Sequence, residues 1–256
     1  MCEINKQEQE KSGLNYRVKY DYHTHTVFSH GKGTIEDNVK VALEKGLQSV
    51  AISDHGPGHV LYGVNSEKTK NMRKEIARLR SVYCDIEIFL SVEANIINVG
   101  NNLDLNEQDI KEYDFIIAGY HLGIKNGYFG ENLFYKLSKI PIFGKKNLTK
   151  KNTEMVVKAI YANPIKVLTH PGGKAPFDIV EIAKACADRG TLLEISAHHN
   201  NLTAEDIKLA SNIANVQFVV SSDAHRPGNV GECRRAIQRA MDAGLDMSRI
   251  VNIEEC

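Results

Sequence analysis

The chain has 256 residues, of which 42% are hydrophobic and 25% are charged, which suits one α/β domain or two small domains. Its 32 basic residues balance its 32 acidic residues, which argues against a nucleic-acid partner because proteins that neutralise phosphates usually carry a basic excess. Apolar stretches all fall short of the roughly 20 residues needed to span a membrane, so a membrane-spanning protein is not expected.

The first residues and the cysteines together indicate a cytoplasmic protein. Residues 1–16 are polar, lack the apolar core of a signal peptide, and are predicted to form a flexible tail before a single domain at residues 17–256. The cysteines are scattered and form no Cys-x-x-Cys pair: Cys2, Cys84, Cys186, Cys233 and Cys256. This pattern argues against a disulfide framework or a zinc knuckle and fits a reducing compartment.

Short β-branched or apolar runs recur along the chain and are predicted to be seven strands, at residues 18–22, 49–53, 87–92, 114–119, 166–169, 192–196 and 216–221. Segments with helical periodicity lie between most of them. Two of these helices have start signals that resemble capping boxes, Thr34 with Asp37 and Thr203 with Asp206. Repetition of strand, helix and strand predicts parallel pairing with right-handed crossovers.

Both an open doubly wound sheet and a barrel satisfy that pattern. An open sheet usually carries a glycine-rich phosphate-binding turn after its first strand, whereas this chain has His23-Thr24-His25-Thr26 there. Seven repeats therefore favour a TIM-like barrel with fewer strands than the usual eight. Residues 122–152 show no clear periodicity and are predicted to be a long loop inserted into this barrel.

Side chains that bind metals well recur at the carboxyl ends of the predicted strands. Because these ends converge on one face of a barrel, the side chains are expected to form one centre. Imidazole and carboxylate groups suit zinc and neighbouring first-row metals. The candidate ligands are His23, His25, His30, His55, Glu93, His121, His170, Asp223 and His225. This set is large enough for two or three ions if a carboxylate bridges them, an arrangement that is used for hydrolysis.

Other polar residues near these positions have less certain roles in the pattern. His59, His198 and His199 lack a clean strand-end position and are predicted not to be ligands. Asp21 and Asp54 directly precede ligands, and each is equally compatible with orienting an imidazole or with being a solvated loop carboxylate.

Arg226 is a candidate for binding the substrate. It directly follows His225, and its planar guanidinium suits a phosphate held by two parallel hydrogen bonds. The alternative is that Arg226 is a surface arginine of the last loop.

Six motifs of the chain occur in the order found in a known family. They are Asp21-Tyr22-His23-Thr24-His25-Thr26, Ser53-Asp54-His55-Gly56-Pro57, Val92-Glu93-Ala94-Asn95-Ile96, Ala118-Gly119-Tyr120-His121, Thr169-His170-Pro171-Gly172 and Ser222-Asp223-Ala224-His225. Together they resemble the motifs of the polymerase and histidinol phosphatase (PHP) superfamily over nearly the whole chain. The His-x-His pair alone is shared with amidohydrolases, but the full set is highly specific.

The resemblance implies a distorted (β/α)7 barrel that binds three divalent metal ions. Zinc is the favoured metal, with manganese and iron as alternatives. The implied ligand sets are His23, His25, Glu93 and Asp223 for the first ion, Glu93, His121 and His170 for the second, and His30, His55 and His225 for the third. Glu93 would therefore bridge two ions.

The activity implied by the resemblance is hydrolysis of a phosphoester. A metal-bridging hydroxide near Glu93 and Asp223 would attack phosphorus in line, and Arg226 would hold the phosphate. The predicted substrate is a small phosphomonoester. Histidinol-phosphate phosphatase, protein tyrosine phosphatase and exonuclease activities are alternatives within the superfamily.

Two hypotheses from other classes are less favoured. A binuclear amidohydrolase normally needs a lysine at the end of its fourth strand, where this chain has His121. A non-enzymatic metal-binding accessory module is disfavoured because the ligand set is complete.

Overall fold

A computed structural model describes residues 15–122, 124, 126–137, 145–172 and 174–256. Most of the predicted tail therefore lies outside the described residues. Regular structure already begins at Tyr16, one residue inside the predicted tail, because a strand there pairs with the last strand of the chain. Within the described ranges, no helix is both long enough and apolar enough to cross a bilayer.

Ten strands and eight α-helices make up the described parts of the chain. The strands are β1 Tyr16–Val18, β2 Tyr20–Asp21, β3 Ser49–Ile52, β4 Glu87–Leu90, β5 Glu93–Asn95, β6 Ile116–Gly119, β7 Ile165–Leu168, β8 Leu192–Ser196, β9 Phe218–Ser221 and β10 Ile253–Glu255. The helices are α1 Ile35–Glu44, α2 Ser66–Val82, α3 Glu107–Ile110, α4 Phe129–Leu137, α5 Lys145–Ala162, α6 Ile179–Arg189, α7 Ala204–Ser211 and α8 Arg234–Asp242. Each of the seven predicted strands is present, with ends shifted by a few residues.

The strands form two parallel sheets and one antiparallel pair. β2, β3 and β4 make a three-stranded parallel sheet, β5 to β9 make a five-stranded parallel sheet, and β1 pairs with β10. The predicted α/β class with parallel strands is thus confirmed. Pairing in the described residues is not continuous around a closed ring, however.

Three features join the edges of the two parallel sheets. β4 and β5 are separated only by Ser91 and Val92, so one stretch of chain belongs to both sheets. Isolated parallel bridges connect His55 with Glu93 and Thr24 with Ala224. The ends of the strands that carry the candidate ligands are therefore held side by side.

Successive side chains of a strand point to opposite faces of the sheet, so the strands contribute to two separate apolar layers. Phe218 and Val220 belong to a large cluster that includes residues of α6, α7 and α8. Val219, between them, packs instead with Ile117 and Val167 in a small separate cluster. Parallel strands covered on both faces are expected to be buried throughout, as β3, β6 and β9 are.

Local signals explain where the helices begin. The predicted capping boxes are confirmed: Thr34 caps α1 with Asp37, and Thr203 caps α7 with Asp206. In each box the threonine hydroxyl accepts a hydrogen bond from the aspartate N–H, and the carboxylate accepts one from the threonine N–H. Both helices start directly after strand-end loops, so the caps fix where those loops finish.

The prediction of a plain loop at residues 122–152 is wrong for the described part of that segment, which contains α4 and the start of α5. Residues 123, 125 and 138–144 lie outside the described ranges. Asn132 of α4 is fully buried and donates to the Tyr120 hydroxyl at 3.0 Å and to Asn152 Oδ1 at 3.0 Å. The buried residue of α4 is therefore polar, whereas its apolar Phe134 and Leu137 are exposed.

Candidate metal centre

All nine predicted ligands converge on one region at the carboxyl ends of the parallel strands. Each belongs to a group of ligand atoms that lie within 4.8 Å of one another. These groups are His23 with His25 and Asp223, His23 with Glu93 and His170, His55 with Glu93 and His121, and His25 with His30, His55 and His225. Shared members link the groups into one continuous cluster.

Glu93 lies at the centre of this cluster and is fully buried. Its Oε1 is 2.8 Å from His170 Nε2 and 3.3 Å from His121 Nε2. Its Oε2 is 3.0 Å from His55 Nδ1 and 3.7 Å from His25 Nε2. The two oxygens therefore face different imidazoles, which is the arrangement that a bridging carboxylate requires.

Asp223 adds a second carboxylate to the cluster. Its Oδ1 lies 3.3 Å from His25 Nε2 and 3.5 Å from His23 Nε2. The backbone at Asp223 is left-handed, with φ of 50°, and that of His170 has φ of 27°. Non-glycine residues in such conformations cost about 1–3 kcal/mol each and concentrate at functional sites. Here the chain turns sharply at both strand ends.

Separations between the ligand atoms match what shared metal ions would impose. Two atoms that each lie about 2.0–2.1 Å from one zinc ion are roughly 3.0–3.4 Å apart, depending on coordination geometry. His23 Nε2 and His25 Nε2 are 3.1 Å apart, and His25 Nε2 is 3.3 Å from Asp223 Oδ1. The donor set and its spacing therefore fit a cluster of divalent ions.

Unpaired buried atoms support the same conclusion. Within the described ranges, His30 Nδ1 and His170 Nδ1 are buried and have no hydrogen-bond partner. A buried polar group without a partner costs about 1–3 kcal/mol. A bound cation would satisfy such atoms, and this gives a physical reason for an otherwise unfavourable arrangement.

Burial also sets the protonation states that metal binding requires. It lowers the pKa of His121 to about 3 and that of His30 to about 3. Burial would raise the pKa of Glu93, but the imidazoles of His121, His23 and His170 together hold it well below its usual range. At neutral pH His30 and His121 are thus neutral imidazoles and Glu93 is a carboxylate, the forms that bind metal. His23 differs, because burial would lower its pKa but Asp223, Glu194 and Glu93 outweigh that effect and raise the pKa well above the usual value, so that a metal ion there would displace a proton.

Glu194 is a functional candidate that the sequence reasoning missed. It is fully buried in β8, and its Oε1 lies 2.7 Å from His23 Nδ1. Its Oε2 accepts a hydrogen bond of 2.6 Å from the backbone N–H of His170. A carboxylate on the second imidazole nitrogen fixes the ring and strengthens it as a ligand. The available signal was a single acid inside the otherwise apolar run Leu192–Ser196.

A second ligand, His121, is supported by hydrogen bonds that pass through Asn95. Its Oδ1 lies 2.9 Å from His121 Nδ1, which leaves Nε2 of His121 facing Glu93. Asp104 fixes the amide, because its Oδ1 accepts from Asn95 N at 2.8 Å and its Oδ2 from Asn95 Nδ2 at 2.5 Å. His121 is therefore oriented by Asn95 at the end of β5 and, through it, by Asp104 of the following loop.

Asp21 and Asp54 are both buried, so neither is a solvated loop carboxylate. Asp54 Oδ1 is 4.0 Å from His25 Nδ1 and accepts a 2.8 Å hydrogen bond from Thr26 N. Asp21 instead accepts from the N–H groups of Ser222 at 3.3 Å and Gly231 at 2.9 Å. Both aspartates hold the loops that carry ligands.

The remaining candidates lie around this centre. Arg226 is exposed and directly follows the predicted ligand His225 in the chain. The His59 ring is 4.9 Å from the ring of His55, and stacks on it. His199, which was predicted not to be a ligand, forms a fifth ligand-atom group with His170 and Asp223.

Comparison with known proteins identifies this arrangement. Residues 21–198 match the PHP domain family model, which is more than half of the chain and includes seven of the nine predicted ligands. The chain belongs to the PHP family. The remaining two predicted ligands, Asp223 and His225, follow the matched segment and lie just after β9.

Curated relatives of this PHP chain match it over most of its length. It is 28% identical over 255 residues to a probable phosphatase of Shewanella pealeana, covering 92% of this chain and 89% of that protein. It is also 28% identical over 252 residues to a probable phosphatase of Thermoanaerobacter sp. strain X514, covering 93% of this chain and 91% of that protein.

A solved structure shares the fold. Histidinol phosphate phosphatase from Lactococcus lactis, which was crystallised with zinc, L-histidinol and phosphate, aligns with a TM-score of 0.61 and 16% identity. The alignment covers 89% of this chain and 94% of that chain. At this identity the likeness concerns the fold.

Proposed function

We propose that this PHP chain is a metal-dependent phosphatase that hydrolyses a small phosphomonoester at a centre of three divalent ions. The observation that carries the proposal is the position of Glu93, whose two buried carboxylate oxygens face separate sets of imidazoles. A second support is that both curated relatives described above are named probable phosphatases.

The proposed ligand sets are those that the family motifs imply: His23, His25, Glu93 and Asp223 would hold one ion, Glu93, His121 and His170 a second, and His30, His55 and His225 the third. The observed groups support the first and third sets, because His23, His25 and Asp223 lie together, as do His30, His55 and His225. His121 and His170 each group with Glu93, but in separate groups. Zinc suits this set of nitrogen and oxygen donors, and manganese and iron are the alternatives. The two parallel sheets then act as one distorted (β/α)7 barrel, joined by the bridges at His55 and Thr24.

The chemistry divides between the metal ions and the protein. Bound divalent ions would supply a hydroxide at neutral pH and offset the charge that develops on the phosphoryl oxygens. Glu93 and Asp223 supply the negative charges that hold the cations together. Glu194 and Asn95 keep the imidazoles of His23 and His121 in their ligand orientations. Arg226 holds the substrate phosphate from the rim of the centre.

Metal content gives a direct prediction. We expect close to three divalent ions per chain in protein that has been saturated with metal and freed of loosely bound ions, because all nine ligands lie in linked groups. Elemental analysis alongside protein quantification measures this ratio. A value of one tightly bound ion per chain contradicts the trinuclear centre.

Arg226 gives a second prediction, which concerns substrate binding. Arg226→Ala is expected to raise KM for phosphomonoesters about tenfold, and Arg226→Lys to recover only part of this, because an ammonium cannot make two parallel hydrogen bonds to phosphate. Arg235→Ala, at another exposed arginine, on α8, is the matched control. Unchanged kinetics in Arg226→Ala would make Arg226 a surface residue.

A substrate screen tests the proposed function itself. Protein reconstituted separately with zinc, manganese and iron is assayed on p-nitrophenyl phosphate, histidinol phosphate, a phosphotyrosine peptide, a phosphodiester and single-stranded DNA. A small phosphomonoester is expected to give the highest kcat/KM. Faster degradation of single-stranded DNA than of any monoester favours an exonuclease. Bound metal without turnover of any phosphoester favours an accessory module.

A further inference from the structure

We propose that His199 is a tenth ligand of the metal centre, on the side formed by His170 and Asp223. This inference rests on the proposed function, because it adds a ligand to the same centre. It extends the ligand set beyond the positions that the family motifs supply, since His199 lies in none of the six motifs.

Distances around Asp223 carry the proposal. His199 Nε2 lies 3.4 Å from Asp223 Oδ2, while Oδ1 of the same carboxylate faces His25 Nε2 at 3.3 Å. The ring centroid of His199 is 5.0 Å from that of His170, with an interplanar angle of 77°. One ligand atom from each of His170, His199 and Asp223 falls within 4.8 Å of the others. The two oxygens of Asp223 therefore face different imidazoles, Oδ2 that of His199 and Oδ1 that of His25.

The loop after β8 holds His199 in this position. The His199 N–H donates to Ser196 Oγ at 3.1 Å. Arg239 of α8 donates to the carbonyl oxygens of Ser196 at 3.0 Å and His199 at 3.3 Å. Because backbone groups on both sides of the side chain are bound, the imidazole is directed into the cluster by the loop.

His198 provides a natural comparison within the same loop. It is exposed, and its ring stacks on that of His225 with centroids 5.2 Å apart. No group of ligand atoms in the described residues includes it. His199, in contrast, has a side chain that is only 29% exposed and faces a carboxylate. Two adjacent histidines are thus placed differently, and only one has ligand geometry.

His199 would give the ion near His170 a ligand at the accessible edge of the centre. The other members of its group are almost fully buried, at 3% exposure for His170 and 2% for Asp223. Mutation of a residue that only hydrogen-bonds to a metal ligand typically lowers metal affinity about 10–100-fold. Loss of a ligand itself is expected to lower the affinity for one metal ion by at least the same factor.

The experiment compares the full-length wild-type chain with His199→Ala, His199→Glu and His198→Ala. Each protein is stripped of metal and titrated with Zn²⁺ against a chromophoric chelator, and Co²⁺ absorption spectra are recorded in parallel. His199→Ala is expected to lower the affinity for one Zn²⁺ ion at least tenfold and to alter the Co²⁺ spectrum. His199→Glu, which retains a ligand oxygen, should recover part of the affinity, and His198→Ala should stay within about twofold of wild type.

The possible results separate this inference from the proposed function. Zinc affinities and Co²⁺ spectra of His199→Ala that equal those of His198→Ala and wild type would overturn the ligand role. Retained metal affinity combined with a kcat loss that grows with the pKa of the leaving group would also overturn it, by making His199 a proton donor. Failure of the wild-type chain to bind metal would instead refute the proposed function. Thermal melts of the metal-free proteins check that each variant folds.

Discussion

Glu93→Gln is expected to lower kcat for phosphomonoester hydrolysis by about a thousandfold or more while the fold is retained. The carboxylate faces His170 and His121 with one oxygen and His55 with the other, so it is the group best placed to hold two cations together. An amide has nearly the same shape but lacks the negative charge, and its NH₂ group cannot bind a cation. Loss of one preorganised electrostatic contact in an active site commonly costs about 10²–10³-fold in rate.

The matched control for this substitution is Glu87→Gln, at an exposed glutamate that begins β4. Steady-state kinetics and metal analysis are measured on both variants after the same metal loading. Circular dichroism should show the same fold in both. Near-normal turnover in Glu93→Gln would refute the bridging role, whatever the metal content.

The second large effect concerns stability and the junction between the two parallel sheets. Asn252→Ala is expected to lower the free energy of unfolding by roughly 3 kcal/mol or more. The fully buried Asn252 side chain donates to Tyr20 O at 2.9 Å and to Val220 O at 2.7 Å, and accepts from Val220 N at 3.0 Å. Alanine would leave three backbone groups without these partners, and each buried group left unsatisfied costs about 1–3 kcal/mol.

Tyr20 belongs to β2 and Val220 to β9, so the Asn252 amide joins the edges of the two sheets where no continuous ladder runs. Urea denaturation monitored by circular dichroism measures the change. Asn229→Ala, at an exposed asparagine of the loop after His225, is the control and should stay within about 0.5 kcal/mol of wild type. A similarly small change in Asn252→Ala would mean that water or a shifted backbone replaces the amide.

The parallel strands and the ligand-bearing strand ends could be predicted from the sequence because their signals are local. Each strand is a short apolar or β-branched run, and most of the ligands stand at the end of such a run; His30, in the loop before α1, is an exception. His23 and His25, two residues apart on an extended segment, face the same side for the reason that strands alternate. Once parallel pairing is inferred, convergence of the strand ends follows.

Tertiary structure alone decided which residues support the ligands. Glu194 and His23 are separated by 171 positions, and Asn95 and His121 by 26, so no local pattern relates them. His199 and His198 are adjacent and chemically identical, yet only the path of the loop after β8 turns one of them toward Asp223.

The contrast between local signals and tertiary contacts also explains where the observed fold differs from the predicted one. Helix α4 is held through the buried Asn132, which donates to the Tyr120 hydroxyl, while its apolar Phe134 and Leu137 are exposed. The apolar pattern of this helix therefore does not mark the residue that packs. The pairing of β1 with β10 joins the two ends of the described chain, and the division of the parallel strands into two sheets depends on where β4 passes into β5. Periodicity reports which face of an element is apolar. It does not report which distant polar group will satisfy a buried one, because that choice is made only when the elements pack.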